Sequence, residues 1–126
     1  MNEKKTIVVI DDSPTVRETI AYILRGEGYD VHTATNGREG IAVIRQLRPR
    51  VVMVDGMMPE MNGFEVARHL RADPDLAGIT IVMLTAMGQG VDRQRAIDAG
   101  VDHFLTKPFD DDEAFGLLEE AFATRS

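Results

Sequence analysis

Three carboxylates, a hydroxyl and an ammonium stand at or just beyond the ends of short apolar runs. Asp11 and Asp12 follow "TIVVI", Asp55 follows "VVMV", Thr85 follows "ITIVML" and Lys107 comes soon after "VDHFL". An ionised carboxylate has no reason to follow a buried strand unless something binds it. If the three acids meet, they repel and raise one another's pKa. A hard divalent cation removes that conflict. Magnesium takes octahedral oxygen at about 2.0–2.1 Å, keeps several waters, and accepts a few carboxylates plus a phosphate oxygen. A lysine and a hydroxyl opposite the metal suit the other oxygens of a phosphoryl group. An aspartate can itself accept phosphoryl as an acyl phosphate. The transfer then needs in-line positioning and charge neutralisation.

Whether these residues meet depends on the elements that carry them. The runs "TIVVI" (6–10), "VVMV" (51–54) and "ITIVML" (79–84) are continuous and β-branched, whereas "YDVHTA" (29–34) and "VDHFL" (101–105) are mixed. Helix-like stretches lie between them. "SPTVRETIAYILRGEG" has Ser13 placed as an N-cap, Pro14 at the first helical position, and Val16, Ile20, Ile23 and Leu24 on one face. "NGREGIAVIRQLRP" carries Ile41, Ile44 and Leu47; "FEVARHLRAD", "VDRQRAIDAG" and "DDEAFGLLEEAFA" complete the set.

Five strands alternating with five helices imply an α/β fold with a doubly wound parallel sheet covered on both faces. Continuous apolar strands belong in the middle of such a sheet and mixed ones at its edges. The simplest right-handed arrangement has order 2-1-3-4-5, the flavodoxin-like order. Its winding reverses between strands 1 and 3, where ligands bind beyond the carboxyl ends of the strands. Asp11, Asp12, Asp55, Thr85 and Lys107 then converge on one crevice.

The 126 residues fit one domain with a single core. No apolar run approaches membrane-span length, and "MNEKKTIVVI" lacks a signal-peptide pattern. A formal net charge of -7 argues against direct nucleic-acid binding. Without cysteine there is no disulfide framework and no thiolate site, and the cytoplasm is the default location.

At this point the chain resembles a known family, the response-regulator receiver domains of two-component signalling. The resemblance spans residues 1–126 as one domain. It rests on the acidic pair in "VVIDDS", the aspartate in "VVMVDGMMPEMNG", the threonine in "VMLTA" and the lysine-proline in "FLTKPF". It implies that Asp55 accepts phosphoryl from the phosphohistidine of a histidine kinase or histidine phosphotransfer protein. It further implies Mg2+ held by the Asp12 and Asp55 carboxylates and the Met57 backbone carbonyl, with Asp11 acting mainly through water. Thr85 and Lys107 would bind phosphoryl oxygens, and Phe104 would be the aromatic that moves with the switch. A cis Lys107–Pro108 bond is also implied, and X-Pro bonds adopt cis for only about 0.5–1 kcal/mol. Asn62, where the family more often has aspartate, suits the same turn.

Bland readings compete for each residue taken alone. Two acids after a strand can simply favour a helix N-terminus; Asp55 can be a turn residue, Thr85 a loop residue and Lys107 a solvated charge. Their convergence is what makes the functional reading the stronger one. Met58 reads as core, and His32, His69 and His103 as surface residues without a role. "DPDLAG" reads as a turn and "FDDDEAF" as a helix start.

Among enzymes, a haloacid-dehalogenase-type phosphatase shares the aspartyl phosphate chemistry, but it needs an acid at residue 13, where this chain has Ser13. In a flavodoxin-like electron carrier, "DDSPTV" would set two anions against the cofactor phosphate. No G-x-x-x-x-G-K-[ST] loop is present. A phosphate-blind interaction domain would not need the acids, Thr85 and Lys107 together.

The end of the chain at "EEAFATRS" reads as a stand-alone receiver whose output is another protein. Phosphorylation of Asp55 would draw the Thr85 hydroxyl toward it and leave space behind strand 4 for the Phe104 ring. The surface of helix 4, strand 5 and helix 5 would then change for a docking partner. Gly88 and Gly90 in "MGQGVDRQ" would let the intervening loop reorganise.

Overall fold

The computed structural model describes residues 4–86 and 93–123. Gly88 and Gly90 lie outside the described residues. Five strands alternate with five helices: β1 (Thr6–Ile10), α1 (Pro14–Gly26), β2 (Asp30–Ala34), α2 (Gly37–Leu47), β3 (Val51–Asp55), α3 (Gly63–Ala72), β4 (Thr80–Ala86), α4 (Arg93–Ala99), β5 (His103–Lys107) and α5 (Asp111–Ala123). All pairings are parallel and the order is β2-β1-β3-β4-β5, as the strand compositions predict. Every residue of β3 is buried, whereas the edge strands β2 and β5 alternate with half-buried or exposed positions.

Period-two alternation divides the core in two. Val8, Ile10, Val52, Val54, Ile81 and Met83 face α2, α3 and α4. Ile7, Val9, Val51, Met53, Val82, Leu84 and Leu105 face α1 and α5. The chain cannot slip one residue in a strand without exchanging these sets, so the register is strongly specified. That same register sets which way each strand-end polar residue points.

Several helix starts are fixed locally. Ser13 accepts from Val16 N and Pro14 occupies the first helical position, as the sequence predicts. Asn62 caps α3 and, with Glu65, forms a reciprocal capping box. Its amide therefore does at this position what a carboxylate could also do. Asp111, Asp112 and Glu113 fill the first turn of α5, where the helix dipole favours negative charge. Met58 is buried in the core, as expected.

Several strand limits differ from the sequence reading, most of all in β4 and β5. β4 runs on through Thr85 and Ala86, and β5 starts at His103 rather than Val101. The cause is pairing rather than composition: Asp102 N donates to Ile81 O, and His103 is the first residue in register, opposite Val82. On α1, Val16 and Ile23 are only half-buried and line an apolar groove with Pro108 and Phe109. Helical spacing put them on the core face; Val16 packs against the edge of that core, and both stay partly open to the groove.

Candidate functional site

Asp11 sits one residue beyond β1, its N–H extending the ladder to Ala34 O at 3.3 Å. Alternation continues past the apolar runs, so Asp11 follows Val9, Asp55 follows Met53 and Lys107 follows Leu105, all toward the α1/α5 side. Thr85 follows Met83 toward the opposite side. Asp11, Asp55 and Lys107 thus lie on one flank of the strand ends and the Thr85 hydroxyl on the other.

Asp11 is fully buried. One of its oxygens accepts from Ser13 N at 2.9 Å and the other from Lys107 Nζ at 3.1 Å. Asp12 is exposed at the mouth. Asp55 is buried; its Oδ1 accepts from Met57 N at 3.1 Å and its Oδ2 lies 3.5 Å from Lys107 Nζ. Burial is the main influence that raises the Asp55 carboxyl above the usual aspartate range. The Met57 hydrogen bond opposes it, Asp11 adds repulsion, Lys107 lowers it, and Asp12 raises it again. A buried anion beside two others is in electrostatic conflict, and Lys107 relieves only part of it.

The donor set fits a hard cation. One oxygen each from Asp11, Asp12 and Asp55 lie within 4.8 Å of one another. Opposite ligands of an octahedral magnesium stand about 4.2 Å apart, twice the metal–oxygen bond. Asp11 and Asp55 each have both oxygens engaged by the Ser13 or Met57 N–H and by Lys107, while Asp12 is exposed at the mouth of the cluster. The Met57 backbone lies at the rim, its side chain about half exposed.

Thr85 is nearly buried, and its hydroxyl points to Thr106 Oγ1 across the β4–β5 pair at 3.5 Å. Thr106 and Phe104 share its side of the sheet, with Phe104 in register with Met83. The Phe104 ring is half-buried against the α2–α4 core. The Lys107–Pro108 peptide is cis, as expected. His32 lies 3.3 Å from the Asp30 carboxylate on the edge strand, away from the crevice.

The model of the response regulator receiver domain family matches residues 7–119. The chain belongs to that family. It is 43% identical over 107 residues to the "DNA-binding dual master transcriptional regulator RpaA" of Synechocystis sp., covering 85% of this chain and 44% of that protein. The receiver fold also superposes on Vibrio cholerae chemotaxis protein CheY4, with a TM-score of 0.88, 29% identity, and coverage of 94% of this chain and 99% of that one. The receiver domain of sensor histidine kinase PA1611 from Pseudomonas aeruginosa is described with a magnesium ion coordinated in its active-site cleft. That receiver matches with a TM-score of 0.87 and 26% identity, over 96% of this chain and 99% of its own. The receiver described here is a signalling domain of two-component response regulators. Among its described residues, no helix is long and apolar enough to cross a membrane.

One expectation is overturned. The partner reading named a histidine kinase or phosphotransfer protein and a protein target docked on α4, β5 and α5, and it excluded direct nucleic-acid binding; that exclusion conflicts with relatives named for DNA binding. The chain spans less than half the length of those curated relatives. A net charge summed over 126 residues governs only how this surface meets phosphate backbone. It carries no information about how a longer regulator meets DNA.

Sequence reasoning missed Gly63 and Arg17. A Cβ on Gly63 would stand 2.7 Å from Asp55 O, so the start of α3 presses on the backbone of Asp55 itself. The dipeptide Asn62-Gly63 signalled a turn, but not this approach. Arg17 Nη1 donates to Asp11 O at 2.9 Å and ties α1 to the end of β1. A helical arginine four residues after an N-cap has no sequence signature for that role.

Proposed function

We propose that residues 1–126 form one phosphoacceptor domain that takes a phosphoryl group onto Asp55 from a phosphohistidine of a histidine kinase or phosphotransfer protein. The observation that carries this reading is the buried Asp55 carboxylate, held 3.5 Å from Lys107 and within one cluster with Asp11 and Asp12. In the transfer, a carboxylate oxygen of Asp55 forms a bond to phosphorus as the phosphorus–nitrogen bond breaks. The electron pair leaves with the imidazole. Lys107 neutralises charge on the phosphoryl oxygens, and the Met57 N–H holds the other Asp55 oxygen in place.

Asp12, Asp55 and the Met57 carbonyl would hold Mg2+, with Asp11 acting through water. When bound, the ion supplies charge neutralisation at the phosphoryl oxygens. Water attacking the same phosphorus reverses the modification, so the domain catalyses only its own phosphorylation and dephosphorylation. The setting that suits a kinase-fed receiver is the cytoplasm.

The switch follows from the shared face of Thr85 and Phe104. New acceptor oxygens on Asp55 draw the Thr85 hydroxyl away from Thr106, and the Phe104 ring moves into the space released. That movement alters an interaction surface. A ligand moves such an equilibrium only by its differential affinity, and a change from 1:99 to 99:1 takes about 5.5 kcal/mol. A few charge-assisted hydrogen bonds supply part of this, so phosphorylation alone shifts the population incompletely. DNA binding by a longer regulator is the output that the relatives' names favour.

Incubation with a small phosphodonor and magnesium, followed by intact mass measurement, tests the reading. One added phosphate is expected, absent in Asp55→Asn. Unchanged labelling in Asp55→Asn sinks it.

A further inference from the structure

The two ends of α4 are held in different ways. At the C-terminal end, every N–H of the Arg71 guanidinium is used. Nε and Nη2 donate to Gly100 O at 3.0 and 2.7 Å, Nη1 donates to Ala77 O and Ile79 O at 2.7 and 2.6 Å, and Nη2 also reaches Asp102 Oδ2 at 2.7 Å. Asp102 Oδ2 in turn accepts from Ile81 N at 2.8 Å. α3, the α3–β4 connection, the start of β4 and the α4–β5 turn are therefore pinned by one side chain. Gly100 has φ +99°, and a Cβ there would stand 2.5 Å from Arg71 Cγ, so the turn and the arginine fit only with glycine between them.

At the N-terminal end two arginines stand against aromatic rings. Arg93, the first residue of α4, places its guanidinium 4.9 Å from the centroid of the Phe104 ring. Arg95 stands 4.4 Å from the Phe64 ring on α3. Both arginines are exposed, and an exposed cation–π contact is weak beside a set of charge-assisted hydrogen bonds.

We infer that Arg93 is a positioning residue for Phe104: its guanidinium, lying over the ring, holds the aromatic in the resting orientation and couples that orientation to the N-terminal end of α4. The inference rests on the reading that Phe104 is the moving aromatic, and adds what restrains it. The ring packs on the α2–α4 core beneath and meets Arg93 above. In this reading, a turn of the ring toward Thr85 would part it from the guanidinium. Arg95 has no such effect, because Phe64 is buried and belongs to α3.

The test uses the whole chain with carbon-13-labelled phenylalanine, observed by NMR with and without a small phosphodonor and magnesium. Removing one exposed cation–π contact shifts a two-state equilibrium by about two- to five-fold. Before any phosphodonor is added, Arg93→Gln is expected to move the Phe104 ring signals toward their phosphorylated positions by that factor. Arg93→Lys, which keeps a cation, restores most of the wild-type position, and Arg95→Gln leaves Phe104 unmoved. Coincident Phe104 signals in wild type and Arg93→Gln overturn the inference, as does an equal displacement in Arg95→Gln. A wild-type ring that stays still on phosphorylation defeats the switch reading instead; the contrast between unphosphorylated wild type and Arg93→Gln then decides the role of Arg93 by itself.

Discussion

The Lys107 ammonium lies 3.1 Å from Oδ2 of Asp11, a carboxylate with no exposed surface. It therefore holds a buried structural anion as well as facing Asp55. Lys107→Met would leave that Asp11 oxygen without its partner and remove the charge that lowers the Asp55 carboxyl. A loss of about 1–3 kcal/mol in unfolding free energy is expected near neutral pH, with Asp55 titrating at a higher pH than in wild type. Urea denaturation and carboxyl carbon NMR check the two effects. A variant as stable as wild type would show that Asp11 is satisfied without the lysine.

The raised Asp55 carboxyl makes a pH prediction with a definite sign. Its folded-state value lies above the usual 3.8, so the folded protein binds this proton more tightly than the unfolded chain does. Its contribution is greatest in acid and is lost as pH rises through the raised value. In the absence of divalent cations, Asp55→Asn should therefore be the more stable protein at pH 7. Thermal unfolding of the two proteins should show this as a higher melting point for the variant. The difference between the two proteins should shrink as pH falls toward 4. A gap that widens in acid contradicts the sign.

Magnesium should relieve the same conflict. A ligand that binds only the native state at 100 times its dissociation constant adds about 2.7 kcal/mol of stability. Asp12 is the exposed acid of the cluster, with both Asp11 oxygens already engaged. Asp12→Ala should accordingly weaken magnesium binding by at least ten-fold while leaving the apo melting point unchanged or slightly higher. Calorimetric titration reads the affinity directly, and equal affinities in wild type and variant refute this assignment of ligands.

Gly63 offers a test of how tightly the site is built. Its added methyl in Gly63→Ala would meet the Asp55 carbonyl at 2.7 Å and Gly56 Cα at 3.0 Å, both backbone atoms with little freedom to retreat. Overpacking of this kind costs about 1–3 kcal/mol. The displacement falls on Asp55, so the rate of labelling by a small phosphodonor should drop along with stability. Loss of stability with an unchanged labelling rate would place the strain elsewhere.

Much of this protein is legible in one dimension. The contrast between "TIVVI", "VVMV" and "ITIVML" and the mixed runs "YDVHTA" and "VDHFL" reflects whether a strand is covered on both faces or lies at an edge. That contrast is sufficient for the order β2-β1-β3-β4-β5, and the order alone brings Asp11, Asp12, Asp55, Thr85 and Lys107 to one end of the sheet. Caps such as Ser13 are legible too, because they act within one turn of chain.

What the tertiary structure decided is direction and distance across elements. That Thr85 turns to Thr106 while Lys107 turns to Asp11 depends on the pairing of β4 with β5, which moved the start of β5 two residues past its apolar beginning. Side chains alternate with period two, so strand limits and register had to be known before any polar residue could be assigned a side. Contacts such as Gly63 on Asp55, Arg71 on Gly100 and Arg93 on Phe104 join residues from different elements at a few ångströms. No local pattern encodes them, because each exists only once independently folded segments have packed.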